Sequence, residues 1–457
     1  MHYTALKYPL KKILLSIFFT INLIAVPSFT KAESSVKPTG NKSSVSLTQD
    51  NTVLTLKEAE RIALTDEPGI ISRQWQAKAL SEQSVADGQL MDPKLQLVVS
   101  NLPADTFDFD QENMTQFKVG ILQQFPAGNT LDLKQQKTLK QSELFDSKIS
   151  ERKISIIKDV RLTYLEVYYW EQAYKTIRQN KRFFSQLVEI VQSMFSVGRN
   201  NQQDLIRAQL ELSRLDDRLT KITQKIKTQR SKLSRWIGSQ NSYNTLAKKL
   251  PDIFTPDLTS LNDDDLTQLF MAHPKIQEID KQLEISRKDI DLAKENFKPG
   301  WGLNVSYGYR DNKPDGPNRK RSDFISAGVT IDLPLFTANR QDKRLLSKEH
   351  KYQALKDKRN EQLRQMVSAL QQEIANEEQL EKRHQLYYKL LLPQAKRQTR
   401  ASLMAYQSDR GDFADVMRAY IDDLNANLDE RRIAVDHLQT RARILYFISD
   451  SYSKNNK

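Results

Sequence analysis

The sequence predicts a mainly helical fold that carries four β-strands and uses one structural unit twice. Three observations predict it: two halves that match at a nearly constant spacing, four short segments in which apolar and polar residues alternate, and two long stretches without glycine. In each unit, a β-hairpin is expected to lie between long helices.

The first 32 residues have the layout of a secretory signal peptide. Lys7, Lys11 and Lys12 precede an apolar run over 13–26, and small residues lead up to Ala32. The run is shorter than the ~20 apolar residues that a spanning helix needs, which disfavours the alternative of a membrane anchor. We therefore expect cleavage after Ala32 and export from the cytoplasm.

The amino-acid composition bears on disulfides, thiolate metal sites and nucleic-acid binding. The chain has no cysteine, so disulfides and thiolate metal sites are excluded. Its formal charge of +13 could suit nucleic acid, but basic and acidic residues are mixed along the helical segments. Such mixing is typical of a solvated helix face, and export also disfavours nucleic acid as a partner.

Prolines mark the two matching halves. Pro68 and Pro274 suit the first turn of a helix, and Pro93 and Pro299 stop one, in both cases 206 residues apart. Alternation then predicts four strands, over 95–100, 117–125, 301–310 and 324–333.

Long helices follow each strand pair. Heptad-like apolar spacing predicts that they reach about residues 197 and 407 and pack side by side. The chain is expected to reverse at Gly198 and Gly411 and to return to about 236 and 447. The predicted organisation is a signal peptide (1–32), a flexible tail (33–53), a first repeat (54–238), a linker (239–262), a second repeat (263–450) and a C-terminal tail (451–457).

Four strands are too few to close a barrel, for which about eight is the smallest number. An open sheet would expose its edges, so several copies of the chain are expected to contribute strands. One face of each strand is apolar and the other is small or polar. This pattern favours a barrel in a membrane over a soluble sandwich core, with the polar helices continuing it as a cylinder in water.

Three pairs of segments together resemble the TolC-type outer-membrane efflux family. They are LTLKEAERIAL (54–64) with DLTQLFMAHP (265–274), FPAGN (125–129) with LPLFTAN (333–339), and SVGRNNQQDLIRAQ (196–209) with QSDRGDFADVMRA (407–419). No single motif is diagnostic, but their order, doubling and spacing are specific. The resemblance covers roughly residues 54–450.

The resemblance implies a homotrimer whose twelve-stranded barrel lies in the outer membrane of a Gram-negative bacterium and contacts its lipid. A coiled-coil tunnel would continue through the periplasm. Such a protein is the passive exit duct of a tripartite efflux system, with an inner-membrane pump of the RND type and a periplasmic adaptor. The segment 101–116 looks more like the heavy-metal (cation) branch than the drug branch.

No catalytic, cofactor or metal site is predicted, because none of His273, His350, His384 and His437 lies in a recognised ligand or catalytic motif. The resemblance places a gate at the periplasmic tips instead. The candidate gate residues are Asp204, Arg207, Asp409, Arg410, Asp412, Asp415 and Arg418.

Symmetry copies of one of these Asp residues would form a ring that attracts cations. The alternative is that they are turn and cap residues, with Asp412 capping the return helix. Arg418 stands where some relatives carry a second acid, which disfavours a doubled acid ring and allows an Asp415–Arg418 pair.

Pro393 has no counterpart in the first half, where Arg182 stands. A proline inside a helix removes a hydrogen bond, so the second long helix is predicted to bend there. We therefore hypothesise that the second hairpin is the moving gate.

The sequence disfavours three other classes of protein. An exported coiled-coil scaffold or adhesin without a pore is disfavoured by the paired strands, and a periplasmic adaptor by the doubled hairpin. An enzyme is disfavoured by the absence of a catalytic motif. The transported substrate, the cognate pump and the resting state of the gate stay open.

Overall fold

The computed structural model describes residues 53–198, 201–311, 321–408 and 410–455. The predicted signal peptide, almost all of the predicted flexible tail, and the candidate gate residue Asp409 lie outside these residues. Within the described residues, no helix is long and apolar enough to cross a membrane.

The described chain is mainly helical and contains one four-stranded sheet, as predicted. In the part before residue 243, the elements are α1 (Leu56–Leu64), α2 (Pro68–Asp87), β1 (Lys94–Ser100), β2 (Gln116–Phe125), α3 (Thr130–Ser196) and α4 (Gln202–Ser242). In the part after 262, they are α5 (Asp263–Met271), α6 (Pro274–Glu295), β3 (Trp301–Tyr309), β4 (Phe324–Ile331), α7 (Gln341–Leu386), a π-helical turn (Tyr387–Leu391), α8 (Leu392–Gln407) and α9 (Phe413–Asn455).

The two predicted helix-starting prolines stand at the beginnings of α2 and α6. Before Pro68, the carboxylate of Glu67 accepts a hydrogen bond from the backbone N–H of Ile70 at 2.6 Å. Before Pro274, Nδ1 of His273 accepts one from the backbone N–H of Lys275 at 3.2 Å. Side-chain caps thus satisfy N–H groups that the first helical turn leaves unpaired.

The four strands form one antiparallel sheet in the order β1-β2-β3-β4. Its central register aligns Leu95 with Ile121, Ile121 with Val305, and Val305 with Ala327. Strand β4 ends at Ile331, two residues before the predicted end. The N–H of Asp332 donates to the carbonyl of Gly300 at 2.8 Å, and the chain then leaves the ladder.

The outgoing long helices end where the sequence predicts, at Ser196 and Gln407. Helix α3 has 67 residues, which at ~1.5 Å per residue gives a length of about 100 Å. Gly198 follows it with φ +76°, a left-handed conformation that glycine adopts without steric cost. Helix α4 is interrupted at Gly238, where φ is +78°, close to the predicted end of the first return helix.

Helix α9 continues to Asn455, so the expectation that residues 451–457 form a loose tail is wrong for 451–455. The segment contains neither glycine nor proline, and nothing in its sequence stops the helix before that point.

Buried apolar side chains form three clusters along the long helices. The first joins α1, α3, α4 and α9, and in it the hydroxyl of Tyr164 donates to the carbonyl of Leu54 at 2.9 Å. The second lies between the two helical hairpins, and the third joins α5, α7 and α9 around Phe270. The helices are therefore held together by side-chain packing along their length.

Candidate functional site

The two helical hairpins pack side by side, with α3 of the first against α9 of the second. The buried ring of Phe184 lies 6.0 Å from that of Tyr420. Nearer the tips, the hydroxyl of Tyr406 lies 3.4 Å from the sulfur of Met194, and its ring lies 5.5 Å from that of Phe413. One apolar seam therefore joins the two tips.

Asp412 caps helix α9 at the second tip. Its Oδ1 accepts a hydrogen bond from the backbone N–H of Ala414 at 3.0 Å, and its carbonyl accepts one from the N–H of Asp415 at 3.1 Å. A carboxylate here also complements the positive end of the helix. The capping role is therefore confirmed, and a gating role for Asp412 stays a prediction.

Asp204 lies in the first turn of α4 at the other tip. Burial, and after it the charge of Asp412, raise the pKa of Asp204 above its ordinary value, whereas Arg207 lowers it in part. Because Asp412 belongs to the other hairpin, its charge acts on Asp204 from the neighbouring tip. The sequence identified both residues but did not show that they interact.

The remaining candidates at the second tip are exposed. Nη1 of Arg418 lies 3.2 Å from Oδ1 of Asp415 within one helical turn, which confirms that pairing. The backbone N–H of Arg410 donates to the carbonyl of Ala405 at 2.9 Å, and its side chain is open to water. An ion pair as exposed as Asp415–Arg418 contributes little to the stability of the fold. Both charged side chains are therefore accessible to solvent or to a partner.

The two tip glycines serve different purposes. Gly198 provides the left-handed residue after α3, and no atom would crowd an added Cβ. At Gly411, an added Cβ would come within 3.0 Å of the Ala405 side chain and 3.1 Å of its backbone. The second turn thus needs glycine because two backbones approach closely.

A π-helical turn precedes Pro393 in the second long helix, and the backbone N–H of Leu392 donates to the carbonyl of Tyr387. Since proline has no N–H, the carbonyl of Lys389 cannot receive the usual α-helical bond from residue 393. The turn places Leu386, Tyr388 and Leu390 at the surface. The α-helix is therefore interrupted at the predicted place, and the angle of the bend stays a prediction.

The sheet has one apolar and one polar face, and the register shows this directly. Aligned on one face are Leu95, Leu97 and Val99 of β1, Phe117, Val119 and Ile121 of β2, Trp301, Leu303, Val305, Tyr307 and Tyr309 of β3, and Ile325, Ala327, Val329 and Ile331 of β4. Most of these side chains are exposed, up to 80% for Ile325. The other face consists mainly of small and polar residues, such as Gly120, Asn304 and Ser326.

The edges of the sheet are open in the described chain. β1 pairs only with β2, and β4 only with β3. Beyond β4, Leu333, Leu335 and Phe336 are 65%, 71% and 85% exposed. Open strand edges beside exposed apolar residues form a surface on which a further strand or molecule could pair.

Sequence reasoning missed a buried histidine between α7 and α9. Nε2 of His437 lies 3.7 Å from Glu377, and its Nδ1 lies 3.5 Å from Glu381. Arg441 donates to the same Glu377 carboxylate at 2.8 Å. The i, i+4 spacing of the two acids was visible in the sequence, but the α9 residues they face were not. Among the described residues, no group of three or more His, Asp or Glu side chains could hold a metal ion.

Residues 266–444 match the family model of the outer membrane efflux proteins. No curated protein matches the sequence. Among solved structures, the chain is similar to the outer membrane protein VceC of Vibrio cholerae. The TM-score is 0.69 at 16% identity, and the match covers 86% of this chain and 95% of VceC.

The chain is also similar to CusC, which was studied for its folding and transmembrane channel formation. The TM-score is 0.69 at 15% identity, over 86% of this chain and 91% of CusC. For the open state of the MtrE outer membrane channel of Neisseria gonorrhoeae, the TM-score is 0.67 at 14% identity, over 86% and 88%. The family model thus supports the efflux family predicted from the sequence over residues 266–444, and the solved structures confirm the fold.

Proposed function

Starting from this match to the outer membrane efflux proteins, we propose that the chain is the exit duct of a tripartite efflux system. It acts as a passive homotrimeric channel across the outer membrane and the periplasm of a Gram-negative bacterium. Energy comes from an inner-membrane pump, and no catalysis is assigned to the chain itself.

The observation that carries the proposal is the two-faced sheet with open edges. Three copies supply twelve strands, and pairing β4 of one copy with β1 of the next removes every edge. A closed barrel would direct the apolar face toward lipid and the polar face toward a water-filled lumen. No described helix covers the exposed apolar face, as a soluble sandwich would require.

We place the gate at the helical tips, where the charge of Asp412 acts on Asp204. Three copies bring six of these carboxylates to the same end of the tunnel, together with the exposed Asp415 and Arg418. Such a ring favours cations and repels anions. This charge pattern is compatible with the heavy-metal branch predicted from the loop 101–116, which stays a prediction.

The partners proposed are an RND-type pump and a periplasmic adaptor. An exposed stripe at the end of the first outgoing helix supports a helical partner: Phe183 and Ile190 on α3 and Val197 just after it are 52%, 47% and 69% exposed and recur every seven residues. Apolar residues at this seven-residue spacing are typical of a helix that packs against a coiled-coil partner. At the corresponding places, the second hairpin has Gln394 and Ser408 with Ala401 between them, so the stripe belongs to the first hairpin alone.

We also propose that the chain arose by duplication, with repeats at 54–238 and 263–450 joined by 239–262. The tips support this, because α3 and α8 end at Ser196 and Gln407 and α4 and α9 begin at Gln202 and Phe413, both 211 residues apart. Each part carries two short helices, two strands, and an outgoing and a returning long helix.

Channel formation is tested with the full chain, expressed in a Gram-negative host and extracted from its outer membrane in detergent. We expect stepwise conductance in a planar bilayer and a trimer band that disappears on boiling. A boiled sample is the matched control. A folded protein that gives neither conductance nor a heat-sensitive trimer would support a pore-less scaffold or adhesin instead.

The substrate class needs a separate measurement. Deletion of the gene in its natural host should raise susceptibility to copper, silver, zinc or cadmium more than to dyes if the cation branch is correct. Greater sensitivity to dyes alone would contradict that assignment and leave the channel function intact.

A further inference from the structure

The four described strands contain only two charged side chains, and both are lysines on the polar face of the sheet. Lys94 of β1 aligns with Leu122 of β2, and Lys118 of β2 aligns with Gly308 of β3. Both lysines alternate with the residues of the apolar face, so they belong to the opposite face. No Asp, Glu or Arg lies within these strands. The polar face is therefore positively charged along its strands.

Neither lysine is neutralised by a carboxylate within the part of the chain that the structure describes. Lys94 is exposed and Lys118 is half-buried. An added Cβ at Gly308 would lie 3.6 Å from Cγ of Lys118, so the lysine stem lies beside the space that this glycine leaves. Carboxylates occur only beyond the strand ends, for example Asp92 before β1 and Asp323 before β4. The two ammonium groups therefore keep their charge for a passing solute.

We infer that these two lysines make the barrel an anion-selective exit, and that the transported substrate carries negative charge. The inference rests on the proposed function and specifies its substrate class. Three copies bring two lysines each into the lumen, where they form two rings. Because Lys94 aligns with Leu122, four residues from Lys118, the rings lie about 13 Å apart along the strands. Rings of lysine in a pore favour anions.

The width of the lumen decides how far the charge of the lysines acts. A twelve-stranded barrel lies between barrels of about eight strands, which side chains fill, and porins of about sixteen, which enclose an aqueous channel. The Debye length at physiological ionic strength is about 8 Å, so charges on the wall act across much of such a lumen. Small anions are therefore concentrated in the barrel, and small cations are depleted.

The barrel and the helical tips present opposite charges to the substrate. Asp204 and Asp412 lie at the tips, where the pump delivers the substrate with its own energy. Passage through the barrel is passive, so the lysines act on the step that has no energy source. A small molecule with a carboxylate, sulfate or sulfonate group fits this exit better than a bare metal cation. The cation branch predicted from 101–116 requires the opposite preference.

Reversal potentials in a planar bilayer test the inference on the full chain. Lys94→Gln together with Lys118→Gln removes both charges, and Lys94→Arg together with Lys118→Arg is the matched control that keeps them. Under a gradient of potassium chloride, the ratio of chloride to potassium permeability should fall in the glutamine variant. The arginine variant should match the natural protein. The tips are identical in all three proteins, so a difference reports on the barrel.

Equal reversal potentials for the natural protein and a conducting, trimeric glutamine variant would overturn the inference and leave the channel function standing. A fall of the same size in the arginine variant would also overturn it, because charge would then not be the cause. If the double glutamine variant forms no trimer, Lys94→Gln alone decides, since Lys94 is exposed and should give a smaller shift in the same direction. A natural protein without conductance or heat-sensitive trimer would overturn both proposals.

Growth of the natural host tests the charge of the substrate. Dodecyl sulfate and dodecyltrimethylammonium are suitable probes, because they share one alkyl chain and differ in the sign of the head group. Deletion of the gene should raise susceptibility to dodecyl sulfate. Restoring the natural gene should reverse this effect, whereas the glutamine variant should protect less against dodecyl sulfate and equally against dodecyltrimethylammonium. Equal losses of protection against both, or a loss against the cation alone, would overturn the anionic substrate class.

Discussion

Asp204 of the first hairpin and Asp412 of the second place two carboxylates of like charge at adjoining helical tips. Asp412 is fixed because it caps α9, and Asp204 lies half-buried in the first turn of α4. Burial, and next the charge of Asp412, raise the pKa of Asp204. The charge of Asp412 therefore disfavours the ionised form of Asp204 at the tips.

Asp204→Asn is expected to keep the tips closed at all pH values. Because the pKa of Asp204 is raised in the folded protein, closed tips are most stable when Asp204 is protonated. The closed arrangement loses stability as the pH rises through that pKa. Conductance in a planar bilayer should therefore increase with pH for the natural protein and stay low for the variant.

Asp217→Asn is the matched control, because Asp217 lies farther along α4 and pairs with Lys221 of its own helix at 2.6 Å. It should preserve the natural pH response. A pH response that survives Asp204→Asn would contradict the role given to this pair.

Val305→Lys should prevent stable insertion into the membrane. Val305 lies at the centre of the apolar face, where lysine in lipid costs about 2–4 kcal/mol. The neighbouring change Ser306→Lys lies on the polar face and should alter ion selectivity with little loss of trimer. For both variants, the measurement is the fraction of heat-sensitive trimer in outer-membrane extracts. Equal losses for the two variants would contradict the assignment of the faces.

Arg182→Pro should destabilise the first hairpin by ~3 kcal/mol or more, because it breaks a continuous helix at the place where the second hairpin has Pro393. Arg182 is exposed, so Arg182→Ala is the control and should have little effect. Thermal unfolding followed by circular dichroism compares them. If both variants unfold at the same temperature as the natural protein, the first hairpin tolerates the same interruption as the second.

Glu377→Gln should lower the free energy of unfolding at neutral pH. On acidification, the variant should lose less of this free energy than the natural protein does. Burial raises the pKa of Glu377, but the facing His437, with Arg441 and Thr255, holds it below the ordinary value of 4.5. The stabilisation is therefore present above 4.5 and is lost as falling pH passes the lower pKa of the folded state.

The loss at neutral pH should be on the order of 1 kcal/mol, because part of the carboxylate is screened by water. Urea unfolding at several pH values measures it. Glu378→Gln is the neighbouring control, since Glu378 is exposed and pairs with Lys382 of its own helix at 2.5 Å. Equal pH profiles for the two variants would contradict the role of Glu377.

Local sequence patterns predicted most of the helices and strands. Pro68 and Pro274 fixed helix starts because proline suits the first turn, and Gly198 marked a reversal because it adopts positive φ. The end of β4 was predicted less well. Alternation continues through Leu333, but the strand ends at Ile331, and only the N–H of Asp332 makes a further bond, to Gly300.

The sequence alone predicted export, and it determined the helix and strand content, the order of elements and the polarity of each strand face, since these depend on residue type and local spacing. The electrostatic interaction of Asp204 with Asp412, the α3–α9 seam and the enclosure of His437 were decided only by tertiary structure. Each joins residues that are far apart in the chain. Which side chains face one another there depends on how the helices pack, and no local periodicity specifies that.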